Sequence, residues 1–393
     1  MAGERTDGGS RWLWGLLGSV MSVHTALNLI RPLISYRTIA LGGDAVEVGL
    51  VTAAYALLPL LIAVSVGRFI DRTARIAWIA GLGSIILAAG GLFLAASVGL
   101  FGLALASTVV GVGQLLCMIA SQALIARYSR PEHLDRDFGW FTAAASLGQL
   151  AGPLISGVIL ADASGPALLS ATSSALVVAG VVAALGILPL LPLARLRPLR
   201  RTAEQKAAPP VPTRVLLSRR RMPSALLTSL ALLTAVDILT AYLPLIAESR
   251  GISPMLVGVL LSLRAGASLL SRLSLPWMLR RWSRKALIIT STGVTAVALV
   301  LVSLPTSDFA ALAVVLVVGG FLLGVGQPLT MAEVTTLAPE GARGAALALR
   351  IWGNRLGQVA IPAAAAGVAG VVGAPGALLF SAVVLATASI AAR

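Results

Sequence analysis

The chain contains 393 residues, of which 58% are hydrophobic and 11% are charged, and its mean hydropathy is +0.94. Because a soluble domain carries about 25% charged residues, this composition excludes an ordinary water-soluble protein. The net charge of +15 comes from basic residues scattered over separate loops, which argues against a nucleic-acid-binding surface. The single cysteine excludes an internal disulfide and a cysteine-based metal site.

Twelve apolar stretches are long enough to cross a bilayer, which takes about 18 or more such residues. In chain order they lie near residues 12–36, 46–66, 76–96, 99–126, 138–161, 166–192, 223–246, 253–272, 285–304, 309–336, 344–371 and 374–392. Spans one to six predict a first bundle within residues 1–194, and spans seven to twelve predict a second within residues 223–393. The basic, proline-containing stretch 195–222 is predicted to be a cytoplasmic linker.

The distribution of Lys and Arg predicts the orientation of these spans. With the N-terminus inside, alternation places 24 of the 30 basic residues in cytoplasmic segments, four inside spans, and only Arg37 and Arg250 outside. By the positive-inside rule, both termini are therefore expected in the cytoplasm. The abundance of Arg and Ala favours a GC-rich bacterial genome, and hence a bacterial cell membrane. Nothing in the sequence demands more than a monomer.

The two predicted bundles share a repeated sequence. Gly111-Val112-Gly113-Gln114 in span four recurs as Gly-Val-Gly-Gln at 324–327 in span ten, an offset of 213 residues. Repeats of this size are whole bundles, as in transporters built from parallel repeats around a site at the middle of the membrane. We therefore expect two pseudo-symmetric halves with a site between them that opens to each side in turn.

The turn between spans two and three contains Gly67, Asp71, Arg72 and Arg75. A carboxylate at a helix end can pair with Arg and accept backbone N–H groups, so this turn predicts a conformational latch. The pattern resembles the signature of the major facilitator superfamily, although Ala74 stands where the family usually has Gly. The resemblance implies an all-α membrane protein of twelve transmembrane helices in two six-helix bundles. It also implies a secondary transporter, with no catalytic residue, metal or cofactor.

Span five contains Gly148, Gly152, Pro153 and Gly157, where small residues four apart allow close helix packing. This stretch resembles the glycine-proline motif of family members of the antiporter type, which implies proton-coupled efflux of a small organic molecule. The Arg that proton-linked relatives carry in span four is Ser107 here. The absence of this Arg either argues against that proton mechanism or shifts the work to another residue.

Ionisable residues inside spans cost about 2.5–3.5 kcal/mol each on insertion scales and so indicate function. Asp237 and Glu333 are the candidates for proton coupling. The candidate cavity residues are His24, Asn28, Arg31, Arg264, Arg350, Asn354, Arg355 and Gln358.

Structural explanations compete with these assignments. Asp237 and Arg264 could form a neutralising pair, as could Glu333 and Arg350. Arg31 could extend outward from the end of its span, and a lone histidine in a span is more often a packing residue. Arg350 and Arg355 lie about 140° apart around one helix, so at most one points straight into a central cavity.

Four span arginines against two span carboxylates favour an anionic substrate. Three hypotheses therefore remain open: proton-coupled efflux by antiport, uptake or exchange of an organic anion, and flipping of an amphipathic lipid. The sequence contains neither an HExxH nor a GxSxG motif, which argues against a membrane enzyme.

Overall fold

The computed structural model describes residues 11–73, 75–130, 133–193, 213–305, 308–339 and 343–392. Within these ranges all regular structure is helical. The α-helices are α1 Arg11–Ala40, α2 Ala45–Arg72, α3 Ile76–Ala96, α4 Leu100–Tyr128, α5 Leu134–Leu160, α6 Pro166–Leu185, α7 Thr213–Leu217, α8 Met222–Ser249, α9 Pro254–Arg281, α10 Arg284–Ser303, α11 Phe309–Leu337, α12 Arg343–Val372 and α13 Ala374–Ala391. All except α7 are long and apolar enough to cross a membrane, which confirms the twelve predicted spans.

Local sequence sets where these helices begin and end. Asp44 caps α2, because its carboxylate accepts the backbone N–H of Val46 at 2.6 Å while the Glu47 side chain accepts the N–H of Asp44 at 2.9 Å. Asp308 caps α11 through the N–H of Ala310 in the same way. Between α12 and α13, Gly373 adopts a φ of 82°, a conformation that glycine reaches without strain.

Consecutive spanning helices run in opposite directions, which defines two sides of the molecule. The start of α1, the end of α6, the start of α8 and the end of α13 lie on one side, called here the terminal side. The short connections such as those between α1 and α2 or between α12 and α13 lie on the other, the distal side. That the terminal side faces the cytoplasm stays a prediction from the charge distribution.

Helices α1–α6 form one bundle and α8–α13 the other. The pairs α1 with α8, α2 with α12 and α5 with α9 join the two bundles. Most of the predicted linker 195–222 lies outside the described residues. Its described end forms α7, whose Leu216 is buried against Met222. The domain boundaries at 194 and 223 therefore stay predictions.

On the distal side the two bundles are in backbone contact. A Cβ built on Gly157 of α5 would lie 3.1 Å from the Cα of Gly258 of α9, and a Cβ on Gly258 would lie 2.8 Å from the Cα of Gly157. A Cβ on Gly49 of α2 would lie 2.6 Å from the Cβ of Ala366 of α12. These two contacts, Gly157 with Gly258 and Gly49 with Ala366, are called here the distal gate. Small residues let the helix backbones approach closely, so the gate is closed in this structure.

Hydrogen bonds reinforce the closed distal gate. The backbone N–H of Met255 donates to the carbonyl of Ala161 at 3.1 Å, which connects the start of α9 to the end of α5. The Tyr242 hydroxyl of α8 donates to the carbonyl of Ala45 at 3.0 Å. Each bond joins one bundle to the other at the distal ends of their helices.

The two arginines predicted to lie outside the membrane serve as helix caps. Arg37, at 4% exposure, donates to the carbonyls of Ala95 and Ser97 at the end of α3, both at 2.8 Å. Arg250 donates to the carbonyl of Val302 at the end of α10 at 2.9 Å. A cation is stabilised at a helix C-terminus, where carbonyls lack partners within the helix. The two arginines are 213 residues apart, the same offset as the repeated glycine motif.

Candidate substrate and proton site between the bundles

An ion pair joins the bundles near the middle of the membrane. Nη1 of Arg31 on α1 lies 2.8 Å from Oδ1 of Asp237 on α8. Nε2 of Gln358 on α12 donates to the other oxygen, Oδ2, also at 2.8 Å. Asp237 is 8% exposed, and each of its oxygens has a partner. The structure therefore contradicts two structural explanations: Arg31 does not extend outward from its span, and Asp237 pairs with Arg31 rather than with Arg264.

Further hydrogen bonds connect this pair back to the first bundle. Nη1 of Arg355 donates to Oε1 of Gln358 at 3.0 Å, and both Nη atoms of Arg355 donate to Oε1 of Gln114 at 3.4 Å. The Tyr55 hydroxyl donates to the same Gln114 oxygen at 2.6 Å, and the guanidinium of Arg31 lies 5.4 Å from the centroid of the Tyr55 ring. The six residues of this polar ring are Arg31, Asp237, Gln358, Arg355, Gln114 and Tyr55. It crosses the bundle interface twice.

Two arginines of α9 lie near the bundle interface, and one of them, Arg264, is close to the polar ring. Arg264 is 6% exposed and close enough to Arg31, Arg272 and Asp237 to interact with their charges. Arg272 donates from Nη1 to the Ser146 hydroxyl of α5 at 2.8 Å, across the interface. Predicted span eight ended at residue 272, but α9 continues to Arg281 through Pro276, so Arg272 is a further arginine inside a span.

The helix bounds change the predicted balance of buried charge. Five arginines lie at least seven residues from either end of a spanning helix, namely Arg31, Arg264, Arg272, Arg350 and Arg355. Among the acidic residues that the structure describes, only Asp237 lies that far inside such a helix; Glu333 is four residues from the end of α11. The middle of the membrane therefore carries a larger positive surplus than the sequence predicted.

A small cavity of about 30 Å³ lies beside the ion pair. Its lining includes Thr52, Tyr55, Asp237 and Thr240. A cavity of this size holds about one water molecule, so a small organic molecule does not fit here in the present conformation. Substrate entry requires the bundles to move apart.

His24 and Asn28 bond within their own helix. Nδ1 of His24 lies 2.9 Å from the carbonyl of Val20, and its ring is nearly perpendicular to the ring of Phe141, with centroids 6.4 Å apart. Nδ2 of Asn28 donates to the carbonyl of His24 at 2.8 Å. The structure thus places both side chains in contacts inside the first bundle, with His24 close enough to Arg31 of the polar ring to interact with its charge.

Arg350 and Asn354 make their contacts inside the second bundle. Nη2 of Arg350 donates to Oε1 of Gln327 at 2.7 Å, and the hydroxyl of Ser229 donates to Oδ1 of Asn354 at 3.0 Å. Arg355, on another side of the same helix, is the arginine that reaches across the interface. Gln327 is the repeat counterpart of Gln114, so each repeat places its glutamine oxygen on an arginine of α12.

Glu333 lies on the terminal side of the second bundle. Its Oε1 is 3.2 Å from Nη2 of Arg221, which comes just before α8. The structural explanation that paired Glu333 with Arg350 is therefore wrong. The structure does not bring Glu333 to the polar ring.

The predicted latch lies at the terminal end of α2. A Cβ on Gly67 would meet open space, and Arg72 and Arg75 are exposed. The side chain of Asp71 lies outside the described residues, so the latch stays a prediction. The described contact at this turn comes from Arg127 of α4, whose Nη1 donates to the carbonyl of Thr73 at 2.7 Å.

The glycine-proline stretch of α5 packs on two different helices. A Cβ on Gly148 or on Gly152 would lie 2.7 or 2.6 Å from a backbone nitrogen of α1, within the first bundle. Gly157, beyond Pro153, contacts α9 of the other bundle. One side of this helix therefore holds its bundle together, and its distal end forms part of the gate.

Sequence reasoning missed Tyr55, Gln114 and Arg272 as site residues. Gln114 served only to mark the repeat. Tyr55 carried a usable signal, since the chain has four tyrosines and this one lies well inside an apolar span, where its hydroxyl needs a partner. Arg272 was missed because the proline and basic residues after it suggested a loop.

Comparison with known proteins agrees with the fold. The family model described as Major Facilitator Superfamily matches residues 16–290 and 234–393. No curated protein matches the chain significantly.

Several solved structures of similar shape are transporters. A variant of the nucleoside transporter NupG matches with 14% identity and a TM-score of 0.80, covering 97% of this chain and 98% of that one. A bacterial homologue of the human lysosomal transporter Spinster, inward-facing and unoccupied, matches with 15% identity and a TM-score of 0.75, covering 99% and 97%. A POT family transporter in complex with a thioalcohol conjugated peptide matches with 15% identity and a TM-score of 0.73, covering 96% and 94%. At such identities the likeness concerns the fold alone.

Proposed function

Because the chain belongs to the major facilitator superfamily of small-molecule secondary transporters, we propose that it couples transport to protons through Asp237. The observation that carries the proposal is the position of this carboxylate. Within the described ranges, Asp237 is the one acidic residue deep inside a spanning helix, and its two oxygens bond to two different helices, one in each bundle.

The proposed coupling follows from what happens when the bundles separate. Opening the distal gate moves α1 away from α8 and therefore separates Arg31 from Asp237. A carboxylate that loses its cation in a poorly solvated layer favours its neutral, protonated form. Leaving either partner of a buried pair charged and alone costs about 3–5 kcal/mol. Proton binding by Asp237 thus lowers the free energy of the separated state and links it to pH.

Reconstituted transport tests the proposal. The purified protein is placed in liposomes and a panel of organic anions, lipophilic cations and lysolipids is tested for uptake with and without a pH gradient. We expect Asp237→Asn to abolish accumulation driven by the gradient but to retain exchange of labelled for unlabelled solute, because exchange needs no net proton movement. Glu333→Gln is the matched control, since it neutralises a carboxylate outside the polar ring. Gradient-driven accumulation that survives in Asp237→Asn would refute the proposal.

Efflux by antiport is a second candidate, supported by the packing of α5. Its motif resembles that of antiporter-type relatives, and Gly157 lies at the distal gate. The direction of the pH gradient that drives substrate accumulation distinguishes antiport from symport, because antiport requires substrate and proton to move in opposite directions. We further propose that the protein is a monomer in a bacterial cell membrane with both termini in the cytoplasm. Labelling of terminal cysteines in intact and in lysed cells would test the position of the termini.

A further inference from the structure

Arg264 is a buried guanidinium that forms no ion pair with another described residue. It lies ten residues inside α9 and is 6% exposed. Among the described residues, its Nε has no hydrogen-bond partner. The nearby carboxylate, Asp237, already bonds through both oxygens to Arg31 and Gln358. A charged group in this position is costly unless something compensates it.

The surroundings of Arg264 increase this cost. The charged residues that interact with it are Arg31 and Arg272, which are both cationic, and one anion, Asp237. Arg272 lies eight residues farther along α9, about 12 Å toward the terminal side, and its Nε also has no partner among the described residues. The arginine stem is accommodated specifically, because a Cβ at Gly320 of α11 would lie 2.8 Å from the Cγ of Arg264. The fold thus makes room for a positive charge, and among the described residues no carboxylate forms a direct ion pair with it.

We infer that Arg264 binds the anionic group of the transported molecule, a carboxylate or a phosphate. The inference rests on the proposed function, since it names the substrate class of the same site. A guanidinium offers two parallel donors that match the two oxygens of such a group. Arg272 extends the positive surface from the middle of the membrane toward the terminal side. An anion entering from that side meets Arg272 before it reaches Arg264.

The anion also determines the direction of coupling. An anion held by Arg264 lies close to Arg31 and competes with Asp237 for it. Once displaced, Asp237 takes a proton from water on the open side, as in the proposed coupling. The anion and the proton are then bound together and cross together. The expected mode is symport, and the charge of the anion is balanced by the proton that accompanies it.

Thermal unfolding of the purified full-length protein tests the inference with probes of matched size. Benzoate and phenyl phosphate carry the anion, benzamide is neutral, and benzylamine is cationic. We expect only the anions to raise the unfolding midpoint, because a ligand that binds the folded state stabilises it. Lysophosphatidic acid distinguishes the two possible sources of the anionic group. If this lipid alone raises the unfolding midpoint, the anion belongs to a lipid headgroup; if benzoate raises it, the anion belongs to a soluble molecule.

Two variants make the result specific to Arg264. Arg264→Gln is expected to weaken anion binding about 10- to 100-fold, the loss of a charge-assisted hydrogen-bonded contact. Its midpoint without ligand should be equal to or higher than that of the parent, because an unpaired buried charge has been removed. Arg350→Gln is the control: it removes an arginine bonded to Gln327 and should lower the midpoint but keep the anion-induced shift.

Several outcomes would overturn the inference. Benzamide could raise the unfolding midpoint as much as benzoate, or no anion could raise it. The anions could still raise the midpoint of Arg264→Gln. The midpoint of ligand-free Arg264→Gln could also be lower than that of the parent, which would indicate a structural role. The two proposals fail separately. Arg264-dependent anion binding without a response to a pH gradient contradicts only the role of Asp237. Gradient-driven transport of benzylamine that is unchanged in Arg264→Gln contradicts only the anion site.

Discussion

Replacing Gly258 with alanine should open the distal gate. A methyl group at this position would lie 2.8 Å from the Cα of Gly157 and still closer to the carbonyl oxygen of Pro153. Both obstacles are backbone atoms of α5, so no side chain can rotate away to relieve the overlap. The two bundles must separate locally, which selects the state in which the distal side is open.

The size of the effect follows from the cost of an overpacked contact. Adding a methyl group to a closely packed interface costs about 1–3 kcal/mol. The cost falls on the closed state alone, because the two glycines part when the gate opens. Since about 1.4 kcal/mol corresponds to a tenfold change in an equilibrium constant, the ratio of open to closed molecules should rise by roughly 5- to 150-fold.

Distances between spin labels measure this ratio. Val98 of the first bundle and Val371 of the second lie at the distal side and are 91% and 87% exposed. Cysteines at these two positions, in a background in which Cys117 is alanine, can carry the labels. We expect Gly258→Ala to shift the distance distribution toward longer values.

Gly139→Ala is the matched control on the partner helix α5, because a Cβ there meets nothing within 4 Å. It should leave the distances unchanged. Identical distributions in the parent and in Gly258→Ala would refute the reasoning that the glycine contact holds the gate closed. A shift in Gly139→Ala as large as that in Gly258→Ala would refute its specificity.

Three further predictions concern stability, each measured by thermal unfolding. Gly152→Ala should lower the free energy of unfolding by about 1–3 kcal/mol, because the added Cβ would lie 2.6 Å from a backbone nitrogen of α1. Gly81→Ala is the control and should not destabilise the protein, because a Cβ there meets open space. Equal effects of the two substitutions would contradict the prediction. Asp44→Ala should cost about 1 kcal/mol by removing the α2 cap. Hydrogen bonds with the Glu47 side chain and with backbone N–H groups lower the pKa of Asp44, so the stabilisation is present above its ordinary value of 3.8 and lost as pH falls through the lowered pKa. The difference between parent and variant should stay constant from about pH 5 to 8, and a decline within that range would contradict the assignment. Arg37→Leu should cost about 1–3 kcal/mol for each carbonyl left without a donor, and a variant as stable as the parent would show that this arginine does not hold α3.

The fold was predictable because its main determinant, the hydrophobicity of the spans, can be read directly from the sequence. A helix that faces lipid must be apolar for about 20 residues, so twelve spans can be counted without knowing how they pack. Helix ends were less certain where a helix continues past the apolar layer. In α9, Pro276 and the arginines after it resemble a loop, but the helix runs on to Arg281.

The site was only partly predictable, because pairing depends on which helices become neighbours. Asp237 and Arg31 stood out as ionisable residues in spans, but they are 206 residues apart and their contact requires α1 to pack on α8. No local pattern distinguishes Arg31 from Arg264 as the partner. The angular separation of Arg350 and Arg355 indicated that the two point in different directions, without indicating which one crosses the interface to Gln114.

The caps formed by Arg37 and Arg250 have a consequence for how each bundle is assembled in the membrane. Arg37 belongs to α1, but its acceptors include the carbonyls of Ala95 and Ser97 at the end of α3 and the carbonyl of Leu169 in α6. We expect the end of α1 to reach its final packing only after α6 has been inserted. Chains truncated before and after α6 test this through the chemical labelling of a cysteine placed next to Arg37. A cysteine already protected from labelling in the chain that lacks α6 would exclude this order. Arg250 likewise waits for α10 to be inserted. Each half of the chain would then reach its final packing as one unit.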